Sequence, residues 1–140
     1  MEKTKSVSGT CVCGKVNVKA SAMKTHLGAC HCSTCRKWSA GPFLSVECGT
    51  DVTIESKEYL KVFDSSAWAE RGFCGNCGTN LFYHLKEADM YSVSAELFNE
   101  SELEFDHQVF IDEKPNYYSF SNKTKDMTGA EVFAAHAPKE

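Results

Sequence analysis

Along the chain, Val16, Val18 and Ala20 alternate with Lys15, Asn17 and Lys19, the period-two pattern of a strand with one buried and one wet face. Short apolar runs follow at Phe43–Val46, Val52–Ile54, Tyr59–Phe63, around Phe73, and at Leu81–Tyr83, Tyr91–Val93 and His107–Ile111. They are rich in β-branched and aromatic residues, and polar or glycine-containing links separate them, so the pattern predicts a mainly β fold of small antiparallel sheets. Helix is confined to short turns, expected near Ser33–Trp38 and Ala95–Asn99. From Asn122 the chain turns mostly polar. The reading is one β domain over residues 1–121 and a polar tail over 122–140, with Phe133 as its point of docking.

At 140 residues the chain is long enough for one core, and metal cross-links would add to its stability. No apolar stretch approaches the roughly 18 residues needed to span a bilayer, so no membrane partner is expected. A net charge of −4 lacks the positive field that draws proteins to nucleic acid.

Eight cysteines change the picture: Cys11, Cys13, Cys30, Cys32, Cys35, Cys48, Cys74 and Cys77. The amino-terminal residues have no apolar core or small-residue cleavage site, so a reducing cytoplasm is the expected setting, where clustered thiols serve metals or redox chemistry more often than disulfides. Cys74-Gly75-Asn76-Cys77-Gly78 has the form of a zinc knuckle, and Cys11-Val12-Cys13-Gly14 offers a second pair. Joined, the pairs make a closed four-thiolate site across about sixty residues, whose metal-binding free energy is also folding free energy.

Cys30-His31-Cys32-Ser33-Thr34-Cys35 then holds three thiols, and three readings compete for it. It is an open zinc site whose fourth position takes water or substrate; or a second structural site, completed by Cys48, His26 or His31; or a redox pair of Cys32 and Cys35, for which the expected strand-helix-strand setting is missing. Cys48 alone reads best as a small buried hydrophobe.

Gly9-x-Cys11-x-Cys13-Gly14-x-Val16, Cys30-His31-Cys32-x-x-Cys35-Arg36 and Gly72-Phe73-Cys74-x-x-Cys77-Gly78 resemble, in order and spacing, the glutathione-dependent formaldehyde-activating enzyme family, which includes centromere protein V. Phe110–Tyr118 is similar to that family's closing region. The resemblance implies a mostly β fold stabilised by two zinc ions. It implies Cys11, Cys13, Cys74 and Cys77 as structural ligands, and Cys30, Cys32 and Cys35 as catalytic ligands. The implied reaction is a carbon-sulfur lyase reaction, the reversible addition of glutathione or a similar thiol to formaldehyde or another small aldehyde.

Three thiolates leave a zinc centre formally −1, so nearby cations matter. Arg36, Lys37 and Arg71 are the candidates for balancing that charge and holding glutathione carboxylates. His31 is either an orienting group for proton transfer or a side chain turned away from the ligands on either side of it. His84 reads as a satisfied structural histidine, and Trp38 and Phe43 as an apolar wall or as core. Glu70 and Asp64 have no carboxylate partner at diagnostic spacing and receive no role. The rival to an enzyme is a non-catalytic zinc module with two structural sites that holds a partner.

Overall fold

A computed structural model describes residues 3–136. The described residues form eleven strands: β1 (Thr4–Thr10), β2 (Asn17–Lys24), β3 (His26–Cys30), β4 (Phe43–Gly49), β5 (Val52–Glu55), β6 (Leu60–Asp64), β7 (Ala69–Cys74), β8 (Asn80–Leu85), β9 (Met90–Ser94), β10 (Glu104–Val109) and β11 (Lys125–Met127). Two short helices accompany them, α1 (Ser33–Ser39) and α2 (Gly129–His136), with 3-10 turns at Lys57–Tyr59, Ala95–Leu97 and Ile111–Glu113. The expectation of a mainly β fold with few helical turns holds. Among the described residues, no helix is long and apolar enough to cross a membrane.

Two compact units divide the chain. One comprises residues up to Thr25 together with Ser45–Leu103, the other His26–Leu44 and the residues from Glu104 onward.

In the first unit, β2 lies between β1 and β5, all antiparallel. The alternation read from the sequence appears as burial: Val16, Val18 and Ala20 are at most 2% exposed, whereas Lys15 and Lys19 face solvent. β4, β9, β8, β7 and β6 pair in that order, again antiparallel, and bury Val46, Val93, Leu81 and Phe82. Gly9 on β1 faces the turn at Ala95–Leu97 so closely that a Cβ would come within 2.0 Å of the Leu97 carbonyl oxygen. That approach needs glycine.

In the second unit the pairing is parallel. β10 lies between β3 and β11, with Val109 opposite both Cys30 and Met127. Parallel pairing was not part of the sequence reading, because apolar runs of this length carry no sign of strand direction. Residues 125–127 and 129–136, in the polar stretch after Asn122, supply β11 and α2. A capping box starts α2: the Glu131 amide donates to Thr128 Oγ1 (3.2 Å), and the Thr128 amide donates to Glu131 Oε1 (2.9 Å). Phe133 meets the Phe110 ring edge-on, with centroids 5.8 Å apart.

Gly9→Ala is expected to lower stability by about 1–3 kcal/mol, the usual cost of overpacking a site that cannot give way. Urea denaturation against the parent protein measures it. An unchanged midpoint would mean that the Ala95–Leu97 turn moves freely away from β1.

Candidate metal centres

In the first unit, two turns built on the same plan converge. In the β1–β2 turn the Gly14 amide donates to the Cys11 carbonyl (3.0 Å), and in the β7–β8 turn the Gly78 amide donates to the Cys74 carbonyl (2.8 Å). Both glycines lie in the left-handed region, at φ 80° and 81°. This places Cys11 and Cys13 on one turn and Cys74 and Cys77 on the other, and the Val12 amide joins the turns by donating to Thr79 Oγ1 (3.1 Å). The four sulfurs lie within 4.8 Å of one another, with Cys11 to Cys13 at 3.5 Å and Cys13 to Cys74 at 3.8 Å. A tetrahedral zinc with bonds of roughly 2.3 Å has sulfur-sulfur edges of about 3.8 Å, so this donor set fits such an ion.

The turns also tune the thiols unequally. The Thr79 side chain, hydrogen bonded to Cys77 Sγ at 3.1 Å, lowers that thiol to about 5, and the Asn76 side chain lowers Cys13. Burial raises Cys74.

The second unit gathers Cys30, Cys32 and Cys35, again with all sulfurs within 4.8 Å. Cys30 ends β3. Cys32 caps α1, its sulfur accepting from the Cys35 amide at 3.3 Å, and Cys35 is buried in the first helical turn. Glu113 Oε1 accepts from the Ser33 amide (3.0 Å), satisfying a further free N–H at that end. A left-handed Ala40 closes the helix after two turns. Cys32 and Cys35 push the Cys30 thiol far upward, since three sulfurs this close cannot all become thiolates unless a cation takes up their charge.

The strand-helix-strand setting expected to be missing is present in chain order: Cys32 caps α1 and Cys35 lies on it, between β3 and β4. What separates these two thiols from a simple redox pair is the third sulfur, Cys30, in the same group.

His31, between two of these cysteines, is wholly buried and engaged at both nitrogens. Nδ1 is 2.8 Å from the Tyr118 hydroxyl and Nε2 is 2.7 Å from Gln108 Oε1. Gln108 Nε2 donates to Thr124 Oγ1 (2.8 Å), which donates to Asp126 Oδ1 (2.6 Å). Gln108 Oε1 can only accept, so His31 donates from Nε2; burial lowers the His31 pKa and favours the neutral ring, in which Nδ1 accepts from the Tyr118 hydroxyl. The reading of a side chain turned away from the ligands describes it better than a catalytic acid or base.

The other candidates separate. Arg36 follows the ligands on α1 and its Nε donates to the His31 carbonyl (3.0 Å); Lys37 is exposed on the same helix. Arg71 belongs to the first unit, 4% exposed on β7 with its guanidinium 4.9 Å from the Tyr83 ring centroid. Cys48 is fully buried on β4, and burial pushes its thiol up to about 12, the behaviour of a small hydrophobe. His84 is held by Glu70 (2.9 Å) and Asp89 (2.7 Å) and stacks on Tyr91, so Glu70 has a structural partner where the sequence offered none. Trp38 and Phe43 pack edge-on, with Phe43 buried.

Tyr118, Gln108, Glu113 and Lys114 escaped the residue-level reading. Lys114 Nζ donates to the Tyr118 carbonyl, the Pro115 carbonyl and Ser119 Oγ, gathering the loop that carries Tyr118. Only the family likeness of Phe110–Tyr118 had marked this stretch.

Residues 6–113 match the glutathione-dependent formaldehyde-activating enzyme family, and the chain belongs to it. An uncharacterized lyase of Schizosaccharomyces pombe is 40% identical over 126 residues, 89% of this chain and 92% of that protein. The crystal structure of a Rhodobacter sphaeroides protein shares the fold at a TM-score of 0.58 and 20% identity, covering 70% of this chain and 98% of that one.

Gln108→Leu strips the buried His31 Nε2–H of its acceptor and half-buried Thr124 of a donor. A loss of about 1–3 kcal/mol is expected, the cost of leaving such groups unpaired. Chemical denaturation checks this, and a variant as stable as the parent would show that His31 finds another partner.

Proposed function

We propose that this protein is a zinc-dependent carbon-sulfur lyase that reversibly adds glutathione, or a similar small thiol, to formaldehyde or another small aldehyde in the cytoplasm. Membership of the family and the relationship to a protein named a lyase support the reaction class. The observation that carries the reading is the difference between the two sulfur groups. One offers four ligands and the other three. Closed four-ligand zinc sites are structural, whereas catalytic sites keep a position for water or substrate.

In this reading Cys11, Cys13, Cys74 and Cys77 hold one zinc ion, and Cys30, Cys32 and Cys35 hold a second. A zinc ion held by Cys30, Cys32 and Cys35 would lower the pKa of a substrate thiol, so that it reacts as a thiolate at neutral pH. Addition forms a carbon-sulfur bond, and the proton given up by the thiol ends on the former carbonyl oxygen. The reverse step breaks that bond and returns the proton to sulfur. Arg36 and Lys37, one and two residues past the last ligand, offset the negative charge of three thiolates and attract substrate carboxylates. The Tyr118–His31–Gln108 network fixes the backbone between Cys30 and Cys32, holding two of the three ligands at one spacing.

Two measurements test the proposal together. The protein should contain two zinc ions per chain, and it should raise the rate of exchange between formaldehyde with glutathione and their adduct, followed by NMR exchange spectroscopy. Cys32→Ser should remain folded with about one ion and no rate enhancement, while Cys74→Ser should fail to fold stably. Exchange at the uncatalysed rate in the two-zinc protein would overturn the enzyme reading in favour of a zinc-binding module. Equal collapse of both variants would make both sites structural.

A further inference from the structure

A second kind of donor cluster lies in the unit that carries Cys30, at the opposite end of β3. His26, the first residue of that strand, pairs with Glu104, the first residue of β10. Register then slips: Phe105 faces Leu27 but His107 faces Gly28, so Asp106 is a bulged residue without an opposite number. Bulges re-aim side chains, and this one brings Asp106 to His26. Nδ1 of His26 lies 2.6 Å from Asp106 Oδ2 and 3.4 Å from Glu104 Oε2. It is shielded from solvent and outside hydrogen-bond alignment with either carboxylate. The His26 ring is itself 41% exposed, and its Nδ1 faces two carboxylate oxygens from one side, an arrangement in which a single cation can be shared by all three donors.

Around this trio the chain is arranged to hold Asp106 in place. The other oxygen of Asp106 is 2.7 Å from His107 Nδ1. The His107 ring fits only because residue 28 is glycine, where a Cβ would come within 2.1 Å of Nε2. A carboxylate ligand steadied by an imidazole on its second oxygen is a familiar supporting shell for metal ions.

We infer that His26 Nδ1, Glu104 and Asp106 form a third metal site, for a divalent cation with nitrogen and oxygen preference, distinct from both sulfur groups. The three donor atoms lie within 4.8 Å of one another, and one imidazole with two carboxylates suits a first-row divalent ion that completes its shell with water. The side chains of Glu104 and Asp106 are 71% and 38% exposed, so the ion and its waters have open access. Such an ion clamps β3 to β10 at one end, while Cys30 leaves β3 at the other.

Manganese(II) is the probe, because it favours carboxylate and water and competes poorly for thiolates. Titrated into the protein as isolated and followed by loss of the free-ion EPR signal, it should bind once per chain. Asp106→Asn and Glu104→Gln should each weaken binding at least about tenfold, and His107→Gln should weaken it by roughly 10–100-fold through the supporting shell. Glu104→Gln changes an exposed side chain, so it keeps the test valid if Asp106→Asn disturbs the bulge; unfolding midpoints report on that. Absence of saturable binding at millimolar Mn(II), or equal affinity in the parent and Glu104→Gln, would overturn the inference.

Discussion

Sulfur crowding is the constraint on which the rest depends. Seven of the eight cysteines sit in two groups whose sulfurs are no more than 4.8 Å apart within each group. Thiolates at that distance repel strongly, and thiols gain little from one another, so the arrangement is stable in the deprotonated form only around a cation. The two turns of the first unit have almost no apolar content of their own: Val12 is 90% exposed, and Cys13 and Cys77 face solvent. Their geometry comes from glycines with positive φ, from the Val12–Thr79 hydrogen bond and from the common focus of the sulfurs. An ion at that focus joins residues about sixty positions apart and constrains the unfolded chain as well as the folded one.

The second group is held by a different device. Cys30 leaves a strand, Cys32 caps a helix and Cys35 lies one turn inside it, so two regular elements place three sulfurs. Between the first two stands His31, which the fold treats as an anchor. Its ring is buried, hydrogen bonded at both nitrogens and stacked on Tyr118 with centroids 5.6 Å apart. Sulfur spacing in this group therefore depends on residues 77 and 87 positions away in sequence. That dependence explains why the Phe110–Tyr118 stretch matters to a site made from residues 30–35.

Much of this was legible in the chain. Alternation located β2 and the apolar runs located most of β4 to β9, because antiparallel strands with one wet face leave a period-two record. Cysteine spacing gave both sulfur groups, since local turns largely determine which thiols can meet. β1 left little trace: Thr-Lys-Ser-Val-Ser-Gly-Thr has one apolar residue, and this strand alternates only between exposed and half-buried positions. α2 did carry a local signal, Thr128-x-x-Glu131, but its faces are too evenly mixed for periodicity to reveal it. The partners of His31 were out of reach for a stronger reason. Hydrogen bonds between distant segments follow from strand register, and nothing local encodes that β10 runs parallel to β3.

β3 connects two donor groups, one at each end of its five residues. Cys30 at its end supplies a sulfur, and the following His31 continues the pairing by donating its amide to the Val109 carbonyl (3.1 Å). His26 at its start faces the carboxylates of β10. Gly28, between them, has no side chain because the His107 ring occupies that space. A displacement of β10 relative to β3 would thus be felt at both ends: at one it changes how Gln108 holds His31, and at the other how Asp106 meets His26. The bulge confines the irregular register to the His26 end and leaves Gly28, Ala29 and Cys30 in unbroken pairing with His107, Gln108 and Val109. Regular pairing is therefore retained where the Cys30–Cys32 spacing has to be maintained, and the one slipped register falls where carboxylates and an imidazole are gathered.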